Sequence, residues 1–303
     1  MTMTETASDL PGFQRSRIDT GDVALSVHRA GRGMPLVLLH GFPQNHRCWA
    51  PVAPTLAEHF HVIVPDLRGY GDSDAPPDNA THTVYSKRRM AMDVIGLLDA
   101  LGIGAAHVLG HDRGARVAYR LALDHPERLA RLGIIEILPT LDYWEAFDAA
   151  LGMAIYHWTF LAQPAPLPET LIGAAPRAFM DHTLAGWTRA KSLDVFAPEA
   201  LESYRAQAAD PARLHAMCAD YRAGATTDRQ HDAEDRAAGR KIAAPLHFLW
   251  AEGGFPARAG DAQSGWRRWA EQVTGNPCES GHFVMEENPE AVLKAFLPHF
   301  TAA

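Results

Sequence analysis

Cysteine is scarce: Cys48, Cys218 and Cys278 are the three in 303 residues, far apart and without a CxxC pair. That argues against a disulfide framework or a zinc site and for buried thiols in a reducing compartment, so a cytoplasmic location is expected. Long apolar runs are missing too. No stretch approaches the roughly 18 residues of a membrane span, and the segment before Ile18 lacks the basic start and apolar centre of a secretory signal. Positive charge is in deficit, with 28 Lys and Arg against 36 Asp and Glu for a net −8. Without a basic run, nucleic-acid binding is excluded as a working expectation. An anionic ligand has to be drawn in by local cations against that field. The Gly69-Tyr70-Gly71 turn lacks the lysine and hydroxyl residue of a phosphate loop and reads as scaffold.

What is present is alternation. Apolar strand signals at Val23–Val27, Pro35–His40, Val62–Pro65, Ala105–Leu109, Leu132–Leu138 and Pro245–Trp250 interleave with helical spacing over Tyr85–Leu101 and Ala115–His125. Strands alternating with helices imply a mostly parallel, doubly wound α/β sheet. Between about Pro139 and Ala225 the pattern changes to helical segments with seven prolines and little strand signal. That stretch reads as an inserted helical cap. The expected organisation is a core at 1–139 and 226–303 with a cap at 140–225, and Gln163–Pro168 as a stiff connector inside the cap.

The chemistry concentrates at Gly110-His111-Asp112-Arg113-Gly114, directly after the Ala105–Leu109 strand. This is the G-x-nucleophile-x-G form of a nucleophile elbow, with aspartate where serine usually stands. A carboxylate there suits attack on saturated carbon or an epoxide. It is ionised at neutral pH, because a free aspartate has a pKa of about 3.9. Two further groups fall at strand ends in the triad order of the α/β-hydrolase fold, Glu136 within the Leu132–Leu138 strand and His282 after the last strand. An acid among aliphatic residues needs a partner, and His282 is the expected one. Asp112 as nucleophile would leave an ester on the enzyme, His282 would activate the water that hydrolyses it, and Glu136 would orient the imidazole. Backbone N–H groups of Phe42 and Arg113 would form the oxyanion hole. Arg113 and Arg116, three apart on one helix, could share a substrate carboxylate.

The chain resembles the haloacetate dehalogenases, above all the fluoroacetate-cleaving type, of the α/β-hydrolase superfamily. The resemblance rests on His40-Gly41-Phe42-Pro43-Gln44, Gly110 through Arg120, Ile137-Leu138-Pro139-Thr140, Tyr156-His157-Trp158, Asp220 through Gly224 and Ser280-Gly281-His282-Phe283. It implies an α/β-hydrolase core with a helical cap, no cofactor or metal, a small anionic haloacid as substrate and a homodimer. Carried over by position, Asp112 is the nucleophile, His282 the base, and Arg113 and Arg116 the carboxylate site. His157, Trp158 and Tyr221 donate hydrogen bonds to the departing halide. The fluoroacetate-cleaving type has aspartate where this chain has Glu136, whereas related haloalkane dehalogenases place glutamate there. Glu252 is the alternative acid. Two other readings stay open: an epoxide hydrolase with the same ester chemistry, and a non-catalytic anion-binding protein on this fold.

Overall fold

The structure, a computed structural model, describes residues 6–258 and 262–302. Its strands are β1 (Thr6–Ala7), β2 (Gln14–Asp19), β3 (Ala24–Ala30), β4 (Pro35–Leu39), β5 (His61–Pro65), β6 (Ala106–His111), β7 (Leu129–Ile135), β8 (Leu246–Ala251) and β9 (Val273–Cys278). They form one sheet in the order β1-β2-β3-β5-β4-β6-β7-β8-β9. β1, β2 and β3 run antiparallel to their neighbours, and every pairing from β5 across to β9 is parallel. Parallel strands need both faces covered, and β6 is buried at all six positions. Helices Lys87–Ala100 and Asp112–Asp124 pack on one face, Ala53–Ala57 and Pro289–Thr301 on the other. The polar strand β2, next to the short edge strand β1, escapes a periodicity search because only Ser16 and Ile18 turn inward.

The chain leaves β4 in one direction to β5 and β6 lies on the opposite side, so the strand order reverses between β4 and β6. Ligands of open α/β sheets bind at such a reversal, beyond the carboxyl ends of the strands. The His40–Phe42 turn and the elbow both sit there. Two local expectations need correction. β7 stops at Ile135, so Glu136 lies just past the strand rather than within it. The connector expected over Gln163–Pro168 ends earlier, because Leu167 and Pro168 already form the first turn of helix Leu167–Ala174, a position where the missing proline N–H costs nothing.

From β7 to β8 the chain runs through helices, the first Thr140–Glu145 and the last Thr227–Ala237. That last helix, beyond residue 225, is tied to the core helix Asp112–Asp124. Arg120 Nη2 donates to Asp232 Oδ1 at 2.7 Å, Arg120 also pairs with Asp235, and Tyr119 Oη donates to Asp232 Oδ2 at 2.8 Å. Cys48, Cys218 and Cys278 are free and buried. Among the described residues no helix is long and apolar enough to cross a membrane. Removing one partner of a buried pair strands the other charge at a cost of about 3–5 kcal/mol. Arg120→Met is therefore expected to lower the free energy of urea unfolding by that amount and to speed amide exchange in helix Thr227–Ala237 first.

Candidate active site

Asp112 has φ +44°, a left-handed conformation that a non-glycine residue adopts only where its surroundings enforce it. The enforcement is visible two residues on. Gly114 lies against the end of β4, where a Cβ would collide with the carbonyl oxygens of Leu39 and His40. This contact presses the helix start onto β4 and turns Asp112 out at the strand reversal. The Phe42 N–H donates to Asp112 Oδ1 at 2.9 Å. Oδ2 lies 3.9 Å from His282 Nε2. The two carboxylate oxygens are thus differentiated, one held by backbone and one facing the histidine. The other expected oxyanion donor makes no such bond: among the described residues none joins the Arg113 N–H to this carboxylate.

Burial pushes the Asp112 pKa up, yet His282, His111, Arg113 and Arg116 outweigh it and the net shift is downward. The histidines contribute only when charged. Burial lowers His111 to about 3 and also lowers His282, so both are neutral near pH 7. The two guanidiniums and the Phe42 N–H are then what keep Asp112 ionised.

Arg113 already has an anion. Its Nε and Nη2 donate to the Asp220 carboxylate at 3.1 and 2.6 Å, and Nη2 also to the Asp220 carbonyl at 2.8 Å. Asp220 accepts from Lys87 Nζ and, at 3.0 Å, from Tyr70 Oη as well. Sequence reasoning missed Asp220, although an acid adjoining the singled-out Tyr221 on a buried helix was the available signal. Arg116 donates from Nη1 to Thr140 Oγ1 at 2.9 Å and the Leu138 carbonyl at 3.2 Å. Its guanidinium lies over the Trp158 and Tyr143 rings at 4.7 and 4.9 Å. Among the described residues Arg113 Nη1 and Arg116 Nε are buried without a hydrogen-bond partner, so each guanidinium has a donor to spare.

His157, Trp158 and Tyr221 do come together. The His157 and Tyr221 ring centroids are 5.6 Å apart, Trp158 and Tyr221 6.4 Å, and Tyr221 packs edge-on against Phe42 at 5.2 Å. Burial holds His157 neutral, its pKa lowered to about 3, with Nδ1 unpartnered. A cavity of about 860 Å³ opens beside them, lined by Asp112, Arg116, His157, Trp158 and His282 together with Glu136. Arg113 and Tyr221 sit behind that lining. Trp187, also in the wall, packs with its ring centroid 4.4 Å from that of His157 and edge-on at 5.4 Å from that of His282.

Glu136 lines the cavity but does not meet His282. Its Oε2 accepts from the Ala251 N–H at 2.6 Å, and Oε1 lies so close under Gly254 that a Cβ there would strike it. No ion pair of 4.0 Å or less joins it to the histidine among the described residues. The expected partnership is replaced by a backbone amide of the turn after β8, because the residue at φ +61° aims its side chain at that turn. Burial raises its pKa to about 8. Glu252 also lines the cavity and is exposed. Elsewhere Asp9, His28 and His46 place ligand-type atoms within 4.8 Å of one another. Against burial, Asp66 and Asp9 push His46 up to about 9, so the imidazolium itself supplies the positive charge there.

Residues 34–289 match the family model described as the alpha/beta hydrolase fold. The chain is 41% identical over 289 residues to a fluoroacetate dehalogenase of Burkholderia sp., with 94% of each chain covered. The chain belongs to the haloacetate dehalogenase family of α/β-hydrolases. It is also 35% identical to a soluble epoxide hydrolase of Corynebacterium sp. strain C12, covering 89% of this chain and 91% of that one. In three dimensions it is similar to a candidate α/β-hydrolase from Nostoc sp. PCC 7120, with TM-score 0.94, 43% identity and 97% and 100% of the two chains covered. The chain is accordingly a hydrolase of this fold.

The Glu136 environment makes a pH prediction. A carboxyl with an ordinary value of 4.5 raised to about 8 in the fold retains its proton in the native state while the unfolded chain loses it. The native state then binds more protons between those values, so this group lowers stability as pH rises through the window. Glu136→Gln removes the effect. Its unfolding free energy relative to the unsubstituted protein is expected to rise by on the order of a few kcal/mol from pH 4.5 to 8 in urea titrations. A flat difference would show that Glu136 ionises normally.

Proposed function

We propose that the chain hydrolyses the carbon–halogen bond of a short 2-haloacid, converting a haloacetate to glycolate and halide through an ester on Asp112. The observation that carries the reading is an ionised carboxylate beside two guanidiniums, each with an unpaired N–H. A substrate carboxylate satisfies the donor of Arg116, which lines the cavity, with Arg113 adding its charge from behind, and places its halogen-bearing carbon against Asp112 Oδ2. Oδ2 attacks that carbon, the C–X bond breaks, and the halide leaves with the bonding pair toward His157, Trp158 and Tyr221. The Phe42 N–H stays on Oδ1, the carbonyl oxygen of the new ester. Water then gives a proton to His282 and its oxygen to the ester carbonyl carbon. The tetrahedral intermediate collapses, glycolate departs with the proton held by His282, and the proton left on the Asp112 carboxyl is released to solvent, which regenerates the carboxylate. Among the described residues neither Glu136, turned to the Ala251 amide, nor Glu252 hydrogen-bonds His282, so the expected triad acid does not support the charged ring from either position.

Epoxide hydrolysis by the same carboxylate is the second reading. It is favoured by the cavity, whose 860 Å³ lies in the upper part of the roughly 300–1,000 Å³ usual for larger ligands, and by the epoxide hydrolase relative. That chemistry leaves the paired arginines without a task.

Halide release from fluoroacetate and chloroacetate, set against diol formation from a terminal epoxide, separates the two. Release is expected to vanish in Asp112→Asn. A single turnover in ¹⁸O water is expected to label Asp112 rather than glycolate. Arg116→Met is expected to lower kcat/KM roughly 10- to 150-fold, the effect of losing about 1.5–3 kcal/mol of charge-assisted hydrogen bonding. Halide-free incubations with folded enzyme, or label appearing first in glycolate, would overturn the proposal.

A further inference from the structure

Among the described residues no hydrogen bond reaches either ring nitrogen of His282, and Nε2 is buried without a partner, so the hydrogen bonds that place this residue are those of its backbone. Three consecutive amides fix that backbone. The Gly281 N–H donates to Glu287 Oε2 at 3.0 Å, the His282 N–H to the Trp187 carbonyl at 2.9 Å, and the Phe283 N–H to Glu287 Oε1 at 3.0 Å. Glu287 Oε2 also accepts the Arg189 N–H at 2.7 Å. The loop that follows cap helix Pro176–Trp187 is thereby joined to the histidine loop. The two backbones lie in contact: a Cβ on Gly281 would overlap the Trp187 carbonyl and the Arg189 nitrogen.

We propose that Glu287 is a positioning residue, which grips the chain on both sides of His282 and the cap at Arg189, and so sets where the imidazole stands for ester hydrolysis. This rests on the ester chemistry proposed above. A bland account would make Glu287 only a cap for the four-residue helix Val284–Glu287, since Phe283 precedes that helix. The bonds from Gly281 and Arg189 lie outside any such cap. One carboxylate accepting three backbone N–H groups is a strong anchor.

Its charge bears on the second step as well. The charged groups facing His282 are Asp112, Glu287 and Arg116, with the neutral His111 ring 4.7 Å away and donating to the His282 carbonyl at 2.8 Å. Burial and Arg116 lower the His282 pKa, while Asp112 and Glu287 raise it. Once Asp112 is esterified its charge is gone. Glu287 is then the anion left among these groups to favour the imidazolium.

The test compares Glu287→Gln and Glu287→Asp with His282→Gln, using whichever haloacetate the unsubstituted enzyme cleaves. Intact-mass analysis after rapid quenching reads the ester, halide release reads the first step, and folded protein is counted by active nucleophile. The glutamine variant is expected to release about one halide per folded subunit at a near-normal rate, accumulate ester, and turn over roughly 100-fold more slowly, as for an ångström of misplacement. Its acidic limb is expected to move to lower pH, because losing the anion lowers the His282 pKa. The aspartate variant keeps the charge and loses the reach, so its limb stays while its turnover remains slow. If the first step and turnover fall together in Glu287→Gln with no ester, Glu287 is merely structural and the proposal is overturned. If His282→Gln also traps no ester while the parent enzyme releases halide, the ester mechanism fails and the Glu287 role fails with it.

Discussion

Keeping one carboxylate ionised where there is little water is the constraint on which the rest of this structure depends. Asp112 is 7% exposed, and an unpaired charge so placed would protonate instead. The fold answers with the Phe42 amide on Oδ1 and with Arg113 and Arg116 on the elbow helix. Those guanidiniums are themselves buried and must be balanced, which brings in Asp220 from the helix Pro211–Ala225 and, behind it, Lys87 and Tyr70. A requirement at one atom thus spreads across five segments distant in the chain. It also registers the cap, because Asp220 meets Arg113 only when that helix sits in one place. Arg120 with Asp232 and Asp235 repeats the device one turn further along the elbow helix.

The arginines show why partial satisfaction is informative. A structural ion-pair cluster would consume its donors. Arg113 gives two nitrogens to Asp220 and Arg116 gives one to Leu138 and Thr140, and each retains a buried donor without a partner. Buried unpaired donors are costly, and under the proposed function a substrate carboxylate would complete them. Nδ1 of neutral His157 is likewise buried without a partner among the described residues.

What could be read without coordinates follows from range. The elbow, the parallel core and the cap were legible because each is local: a five-residue turn motif, runs of apolar residues, a change in periodicity. Grouping His157, Trp158 and Tyr221 needed family resemblance, since nothing in the spacing of residues on two separate helices brings their rings together. Asp220 was invisible as Arg113's partner for the same reason, at 107 residues' separation. Glu136 was misjudged on direction. Its place after β7 was close to right, but a positive φ at a strand end sends a side chain somewhere the sequence does not encode, here to the Ala251 amide. Glu287 was overlooked because a glutamate in an acidic pair after a histidine reads as solvated surface.

The 3.9 Å between His282 Nε2 and Asp112 Oδ2 ties these features to the order of events. A serine nucleophile must already be hydrogen-bonded to its histidine, because the proton leaves as the attack occurs. An aspartate carries no proton, so the histidine gains nothing by touching it at the start. The gap is too long for a hydrogen bond and leaves room beside Oδ2 for the carbon under attack and afterwards for water. A histidine that cannot be located by a bond to its nucleophile has to be located from behind. Glu287 and the Trp187 carbonyl hold the backbone there, and the same contacts join that backbone to the cap. Under the proposed chemistry, replacing serine by aspartate at the elbow therefore does more than change the leaving group. It leaves the base without a bond to the nucleophile, and with Glu136 turned to the Ala251 amide the loop that carries the base is what holds it.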